Sequence, residues 1–128
     1  MGVAVALTGA AMLAKLQVKG ERRLALIGAP EGAIDVPVER AASVGEAEVV
    51  VLFVADRAAF DAGIGPLRAE AREDAVLWIA YPKLTGALAG DLHRDVLRVV
   101  VRGFGLDTVA QVAIDRDWSA LRVKRVVS

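Results

Sequence analysis

Six residues of this sequence have side chains or backbone groups that could contact a small ligand, because each follows or ends a segment apolar enough to form a buried strand. In open α/β sheets, ligands bind outside the carboxyl ends of the parallel strands. The six residues are Gly28, Glu31, Gly32, Asp56, Tyr81 and Lys83. We therefore expect them to lie along one edge of a sheet.

The chemistry of these residues suggests an anionic or ring-bearing ligand. Lys83 could hold an anion and Tyr81 could stack on a ring, although a Pro-Lys pair after a strand is more often a solvated turn. Glu31 or Asp56 could accept hydrogen bonds from the ligand. Asp56 also precedes a helical pattern, where capping of the helix is the simpler account. Trp118 could cover a pocket or an interface, or pack in the core against the last helix.

Other polar residues favour ordinary structural roles. His93, Arg94 and Asp95 spell the letters of a kinase catalytic loop but lack the other kinase motifs, and the pattern places His93 on the exposed side of a helix. Asp115 and Asp117 are typical of a turn. With no cysteine and one histidine, a thiolate or histidine metal site is excluded. We expect neither a metal nor a cofactor.

The composition indicates one soluble α/β domain in the cytoplasm. The 128 residues carry 16 basic and 16 acidic side chains, so nucleic-acid binding is not expected. Residues 1–14 are apolar but lack a basic leader, and the run is too short to span a bilayer.

Hydrophobic patterning predicts alternating strands and helices. Gly63, Gly65 and Pro66 should kink or divide the helix after Asp56. Gly103 should end the helix capped by Asp91. Charged residues alternate with apolar residues in the last strand, which suggests the solvent-exposed face of an edge strand. The predicted strands are 23–27, 34–39 (weak), 49–54, 76–81, 108–114 and 119–127, and the predicted helices are 8–18, 56–71 and 91–103.

This order predicts a Rossmann-like three-layer α/β sandwich with a mostly parallel sheet that ends in an antiparallel hairpin. The order resembles the second half of a class I methyltransferase, with residues 49–54 and 76–81 as strands and with residues 103–106 and 118–122 in the closing hairpin. The methyltransferase cofactor turn is not intact, because residues 28–32 carry two glycines, a proline and a carboxylate.

The whole chain is also similar to a bacterial family of small proteins whose activity is uncharacterised. The similarity lies in Ala29-Pro30-Glu31-Gly32, in the segment from Trp78 to Lys83 and in the segment from Ile114 to Arg122. Both resemblances imply a fold and no activity.

Two functions remain open from the sequence. A mean hydropathy of +0.47, without a catalytic constellation, favours a non-catalytic methyltransferase-like domain that acts through self-association or a protein partner. The alternative is a binder of, or enzyme acting on, a small adenosyl or nucleotide-like molecule, using the loops that follow the strands.

Overall fold

The computed structural model describes residues 14–18, 22–29, 40–83, 91–114 and 117–126. Short 3-10 turns lie at Val44–Glu46 and Val101–Phe104. None of the helices in these ranges is long and apolar enough to cross a membrane. The strands and helices are β1 (Leu24–Ile27), β2 (Val49–Phe53), α1 (Arg57–Glu70), β3 (Val76–Pro82), α2 (Arg94–Val100), β4 (Leu106–Ala113) and β5 (Trp118–Arg125).

The strands form one mixed sheet in the order β1-β2-β3-β5-β4. The pairs β1–β2 and β2–β3 are parallel, with Leu24 opposite Val49 and Val49 opposite Val76. The pairs β3–β5 and β5–β4 are antiparallel. The predicted α/β fold with a parallel part and a closing antiparallel hairpin is confirmed. The weak strand predicted at 34–39 lies outside the described residues.

The prediction that the last strand lies at the sheet edge is wrong, because β5 is inserted between β3 and β4. Arg122 pairs with Trp78 on β3, and Lys124 pairs with Asp107 on β4. An alternation of charged and apolar residues shows that one face of a strand is partly exposed to solvent. It does not show whether one strand or two strands pair with it. The edge strand on this side of the sheet is β4, and its register is interrupted by a bulge between Thr108 and Ala110.

Both helices pack on one side of the sheet, which we call the helix face. Consecutive residues of a strand point to opposite faces, so alternate residues of β2 and β3 enter each core. The helix-face core includes Val50, Leu52, Leu77, Ile79 and Tyr81 of the sheet, Phe60, Ile64 and Leu67 of α1, and Leu97 of α2.

The opposite side, which we call the Trp78 face, buries Val49, Val51 and Trp78 together with Leu16 of the N-terminal segment. The helix predicted at 8–18 ends earlier than expected. Ala14 and Lys15 are helical, but Gln17 has a φ of 72° and donates its backbone N–H to the carbonyl of Ala14 at 3.1 Å. The part before residue 14 lies outside the described residues.

The helix after Asp56 is not divided as predicted, because α1 is one continuous helix with Pro66 inside it. Proline removes one N–H from the helical ladder, and the burial of Phe60, Ile64 and Leu67 outweighs that loss. Gly63 allows close packing, since a Cβ built there would lie 3.0 Å from Cδ1 of Leu52 on β2.

The start and end of α2 also differ from the prediction. The N-cap residue is His93, whereas the Asp91 carboxylate accepts the backbone N–H of Arg57 in the first turn of α1 at 3.0 Å. Val99 of α2 is 68% exposed, so the helix does not bury all of its apolar side chains. The left-handed residue that ends the following 3-10 turn is Gly105, with a φ of 74°, and not Gly103.

Candidate functional site

The predicted ligand residues divide into separate places in the fold. Tyr81 and Lys83 line the same cavity. Gly28 follows β1, and Asp56 precedes α1. Glu31 and Gly32 lie outside the described residues.

The cavity that contains Tyr81 and Lys83 lies at the carboxyl end of β3 and has a volume of about 190 Å³. Besides these two residues of β3 and its exit, it receives side chains from the start of α2, from β4 and from β5. We call it the β3 cavity. It is lined by Tyr81, Lys83, His93, Arg94, Asp95, Gln111 and Ser119.

The antiparallel hairpin brings the sheet residues of the cavity together. Tyr81 lies opposite Ser119 in the β3–β5 register, and Ser119 is 5% exposed. Gln111 of β4 lies opposite Leu121, two residues along β5 from Ser119. Residues two apart on a strand share a face, so Tyr81, Gln111 and Ser119 all point to the helix face, towards the beginning of α2.

A chain of hydrogen bonds fixes the polar side chains of this cavity. Gln111 Nε2 donates to the hydroxyl oxygen of Tyr81 at 3.0 Å. Arg94 donates from a guanidinium nitrogen to Gln111 Oε1 at 3.3 Å. The same guanidinium forms an ion pair with Asp95, with 3.6 Å between nitrogen and oxygen. A phenol hydroxyl that accepts such a bond can also donate its own hydrogen.

Burial keeps the Tyr81 phenol protonated. Desolvation raises the pKa of Tyr81 above its ordinary value of 10.0, against the opposing effects of the positive charge of Arg94 and a hydrogen bond with Ser119. A buried phenol with a raised pKa is a neutral hydrogen-bond donor at physiological pH. Tyr81 is therefore suited to donate to an oxygen of a ligand.

Lys83 supplies a second positive charge to the β3 cavity. Its backbone N–H donates to the carbonyl of Asp117 at 2.8 Å, which ties the exit of β3 to the start of β5. Two cationic side chains, Lys83 and Arg94, thus line the cavity together with one carboxylate, that of Asp95. The charged side chains of the lining therefore carry more positive than negative charge.

The prediction that His93 is plain surface on an exposed helix face is wrong. His93 precedes α2 as its N-cap, is only partly exposed and lines the cavity. Its Nδ1 atom is buried and has no hydrogen-bond partner among the described residues. Leaving such an atom unpaired costs about 1–3 kcal/mol. The sequence pattern predicted a helix that begins at Asp91, which placed His93 within the helix on its solvent-exposed side. The position of His93 in the cavity was therefore not predicted.

Asp56 caps the first turn of α1, which is the simpler of the two roles predicted for it. Its side chain accepts the backbone N–H of Ala59 at 2.8 Å, and the residue is exposed. Gly28 has a φ of 68°, and a Cβ built there would lie 3.1 Å from the carbonyl oxygen of Phe53. A glycine is needed for this close approach of β1 and β2 at their carboxyl ends.

Trp118 packs on the Trp78 face and not against α2. It is 8% exposed, and its ring meets that of Phe53 edge-on, with 5.2 Å between the ring centres. The expected packing against the last helix is therefore wrong, because α2 lies on the opposite side of the sheet. The role of Trp118 at an interface or pocket stays a prediction.

Within the described ranges, no group of three or more histidine, aspartate and glutamate side chains lies close enough together to hold a metal ion. The lining of the β3 cavity instead has two cationic side chains and one carboxylate, and its four neutral polar side chains can each donate a hydrogen bond. Such a set of side chains suits an anion.

The fold belongs to the Rossmann-like α/β class and is methyltransferase-like. Among solved structures, the chain is similar to a ribosomal protein L11 methylase from Lactobacillus delbrueckii subsp. bulgaricus, with a TM-score of 0.50 and 12% sequence identity. The similarity covers 92% of this chain and 64% of that protein, so the chain spans less than two thirds of its length. No family model matches the sequence, and no curated protein matches it.

Proposed function

We propose that this chain is a methyltransferase-like domain that binds a small anionic molecule in the β3 cavity. The observation that carries the proposal is the presence of Lys83 and Arg94 in one cavity with the phenol of Tyr81, at the carboxyl end of a parallel strand. Ligands of α/β folds collect at this end of the sheet. A positive excess in a partly closed site favours an anion.

The size of the cavity sets the size of the ligand. Pockets for drug-sized molecules span about 300–1,000 Å³, whereas this cavity measures about 190 Å³. That volume suits a small acid or inorganic ion better than an adenosyl cofactor or a nucleotide. The ligand we propose is therefore smaller than the adenosyl or nucleotide-like molecule expected from the sequence.

Binding can be tested by thermal unfolding and isothermal titration calorimetry of the purified protein. The ligands are phosphate, sulfate, acetate and S-adenosylmethionine. A ligand that binds the native state raises its stability by mass action. We expect stabilisation by the small anions and none by the adenosyl compound.

Variants of the cationic residues locate the site. Lys83→Gln and Arg94→Gln should each raise the anion Kd by about tenfold or more, since a hydrogen bond to a charged group contributes roughly 1.5–3 kcal/mol. Arg102→Gln is the matched control, because Arg102 is 70% exposed and pairs with Asp107 outside the cavity. Equal loss of affinity in all three variants would indicate a general charge effect and would contradict the proposed site.

Self-association or a protein partner remains the second candidate, and it is compatible with a non-catalytic domain in the cytoplasm. Three large aliphatic side chains of the described residues are exposed: Val99 by 68%, Val109 by 50% and Val126 by 55%. They lie on α2, on the edge strand β4 and after β5. Light scattering coupled to size exclusion tests this candidate, and a monomer at high concentration would exclude self-association.

A further inference from the structure

The strand β4 has an open edge. It pairs with β5 on one side and is the last strand in the order of the sheet, so no strand of the described residues pairs with its other side. Val109, Ala110, Gln111 and Ala113 are exposed. A strand edge of this kind presents N–H and C=O groups that can pair with another chain.

The register of the hairpin shows which backbone groups of β4 face outward. Ile114 donates its N–H at 3.0 Å to the carbonyl of Trp118, the residue opposite it in the register. Successive residues of an antiparallel strand direct their N–H and C=O groups alternately towards the partner strand and away from it. Because Ile114 faces β5, Val112 faces β5 as well. Gln111 and Ala113 therefore direct their backbone groups to the open edge.

The two halves of β4 differ in how well this edge is protected. In the first half, the Thr108 N–H donates to the Asp107 carboxylate at 2.9 Å, and the bulge lies between Thr108 and Ala110. Both features hinder pairing with another strand. Residues 109–113 contain no charged residue and no proline, which are common means of protecting an edge. The second half of β4 is thus the part open to pairing.

We propose that the second half of β4 pairs antiparallel with the same segment of a second copy of this chain. This inference rests on self-association, the second candidate function, and assigns a surface to it. A two-fold axis through Val112, perpendicular to the sheet, places Gln111 of each copy opposite Ala113 of the other. Each of these two pairs exchanges two backbone hydrogen bonds. The two five-stranded sheets become one continuous sheet.

A second copy suits this edge because the segment is complementary to itself. The two Val112 side chains meet at the axis on the Trp78 face, where Val112 already packs against the core. Since residues 109–113 carry no charge, the pairing brings no like charges opposite each other within the segment. The axis also keeps the helix faces of both copies, and with them both β3 cavities, on the same side of the extended sheet.

The short length of the segment makes this a weak dimer. Interfaces below about 1,200 Å² usually belong to weak or transient complexes. We therefore expect a reversible equilibrium between monomer and dimer. Sedimentation of the purified protein from micromolar to millimolar concentration measures it.

Variants at the edge locate the interface. Ala113→Pro removes one outward N–H from each copy and leaves the bonds between β4 and β5 in place, so it should raise the dimer Kd by about tenfold or more. Ala113→Ser keeps that N–H and is the matched control, which should dimerise like the wild type. Val99→Ser, on α2, should also leave the Kd unchanged. An unchanged Kd for Ala113→Pro would overturn this inference and leave self-association through another surface standing.

Hydrogen exchange of the wild-type protein tests the same point if Ala113→Pro does not fold. The amides of Gln111 and Ala113 should exchange about tenfold or more slowly in the dimer than in the monomer, whereas the Val112 amide, bonded to β5, should not change. Equal rates for Gln111 and Ala113 in monomer and dimer would overturn the pairing. A protein that stays monomeric at millimolar concentration would overturn both this inference and self-association, and neither result affects the anion site, which calorimetry tests separately.

Discussion

The indole N–H of Trp78, in the middle strand of the five-stranded sheet, donates to the backbone carbonyl of Leu16 at 2.9 Å across 62 residues of chain. Both residues are buried, Trp78 to 1% and Leu16 to 0% exposure. The bond joins the N-terminal segment to the side of the sheet that the two helices do not cover. It satisfies a donor and an acceptor that would otherwise be buried without partners.

Replacing Trp78 with phenylalanine should destabilise the protein by more than the lost ring atoms alone. The Leu16 carbonyl would lose its donor in a buried position, which costs about 1–3 kcal/mol. Urea denaturation measures the change in the free energy of unfolding, provided that the variant and the wild type have the same m-value. The comparison variant is Phe53→Leu, which shortens a buried ring side chain on the same face of the sheet without removing a side-chain hydrogen bond. A smaller loss for Trp78→Phe than for Phe53→Leu would show that the bond to Leu16 contributes little.

Two glycines of α1 should respond differently to alanine. At Gly65 a Cβ meets nothing within 4 Å beyond its chain neighbours, but the gain in helix propensity is offset by the contact of that Cβ with the ring of the following Pro66, so Gly65→Ala should change stability by less than about 1 kcal/mol. At Gly63 a Cβ would lie 3.0 Å from Leu52 Cδ1, and Leu52 is buried. Gly63→Ala should therefore lower stability by about 1 kcal/mol or more. Chemical denaturation of both variants tests the pair, and equal effects would contradict the close packing of α1 on β2.

Glu48 connects the beginnings of three parallel strands. It precedes β2 and accepts the backbone N–H of Arg23, before β1, at 2.7 Å. Its other oxygen pairs with Arg23 at 3.2 Å and with Arg72, before β3, at 2.8 Å. The side-chain hydrogen bond from Arg23, and then the backbone bond, lower the pKa of Glu48 to about 2 from 4.5.

This lowered pKa predicts acid sensitivity. A carboxyl group with a lower pKa in the folded state stabilises the fold above its unfolded-state pKa and loses that contribution as pH falls. For Glu48 the loss should begin near pH 4.5 and be complete below about 2. Glu48→Gln should be less stable than the wild type at neutral pH, with the difference shrinking in acid. The matched control is Glu70→Gln, at the exposed end of α1, and the measurement is the free energy of unfolding as a function of pH. A constant difference across this range would refute the role given to Glu48.

Asp56 and Asp91 should both contribute to stability through the first turn of α1. Asp56 accepts the N–H of Ala59, and Asp91 accepts that of Arg57. Loss of a capping side chain costs about 0.5–2 kcal/mol, so Asp56→Ala and Asp91→Ala should each unfold at a lower temperature. Because Asp56 does not line the β3 cavity, Asp56→Ala should keep the wild-type affinity for sulfate. Loss of sulfate binding in this variant would show that Asp56 belongs to the ligand site after all.

The sequence predicted which segments form strands better than it predicted the order of those strands in the sheet. The apolar runs at β2 and β3 identify buried parallel strands because both faces of such strands are covered. The hairpin could also be predicted, because two runs of strand-forming residues flank a turn. Pattern alone did not show that β5 enters the interior of the sheet, because strand order is set by long-range pairing.

The candidate site was predicted in part. Tyr81 and Lys83 could be found because they end a strand, where ligands collect. Gln111 and Ser119 could not, because only the antiparallel register brings them to Tyr81. His93 was missed because capping signals at Asp91 favoured an earlier helix start, whereas the Asp91 carboxylate is used by the neighbouring helix.

The position of β5 between β3 and β4 affects how this sheet can form on a ribosome. The parallel strands emerge in the order in which they pair, so β1, β2 and β3 can assemble as they are made. In contrast, β4 emerges before β5, the strand to which it is hydrogen-bonded in the described sheet. Until β5 has also left the exit tunnel, both β3 and β4 present open strand edges, which are sites for mispairing. The order of synthesis therefore leaves the antiparallel part of the sheet to form last, after the parallel strands.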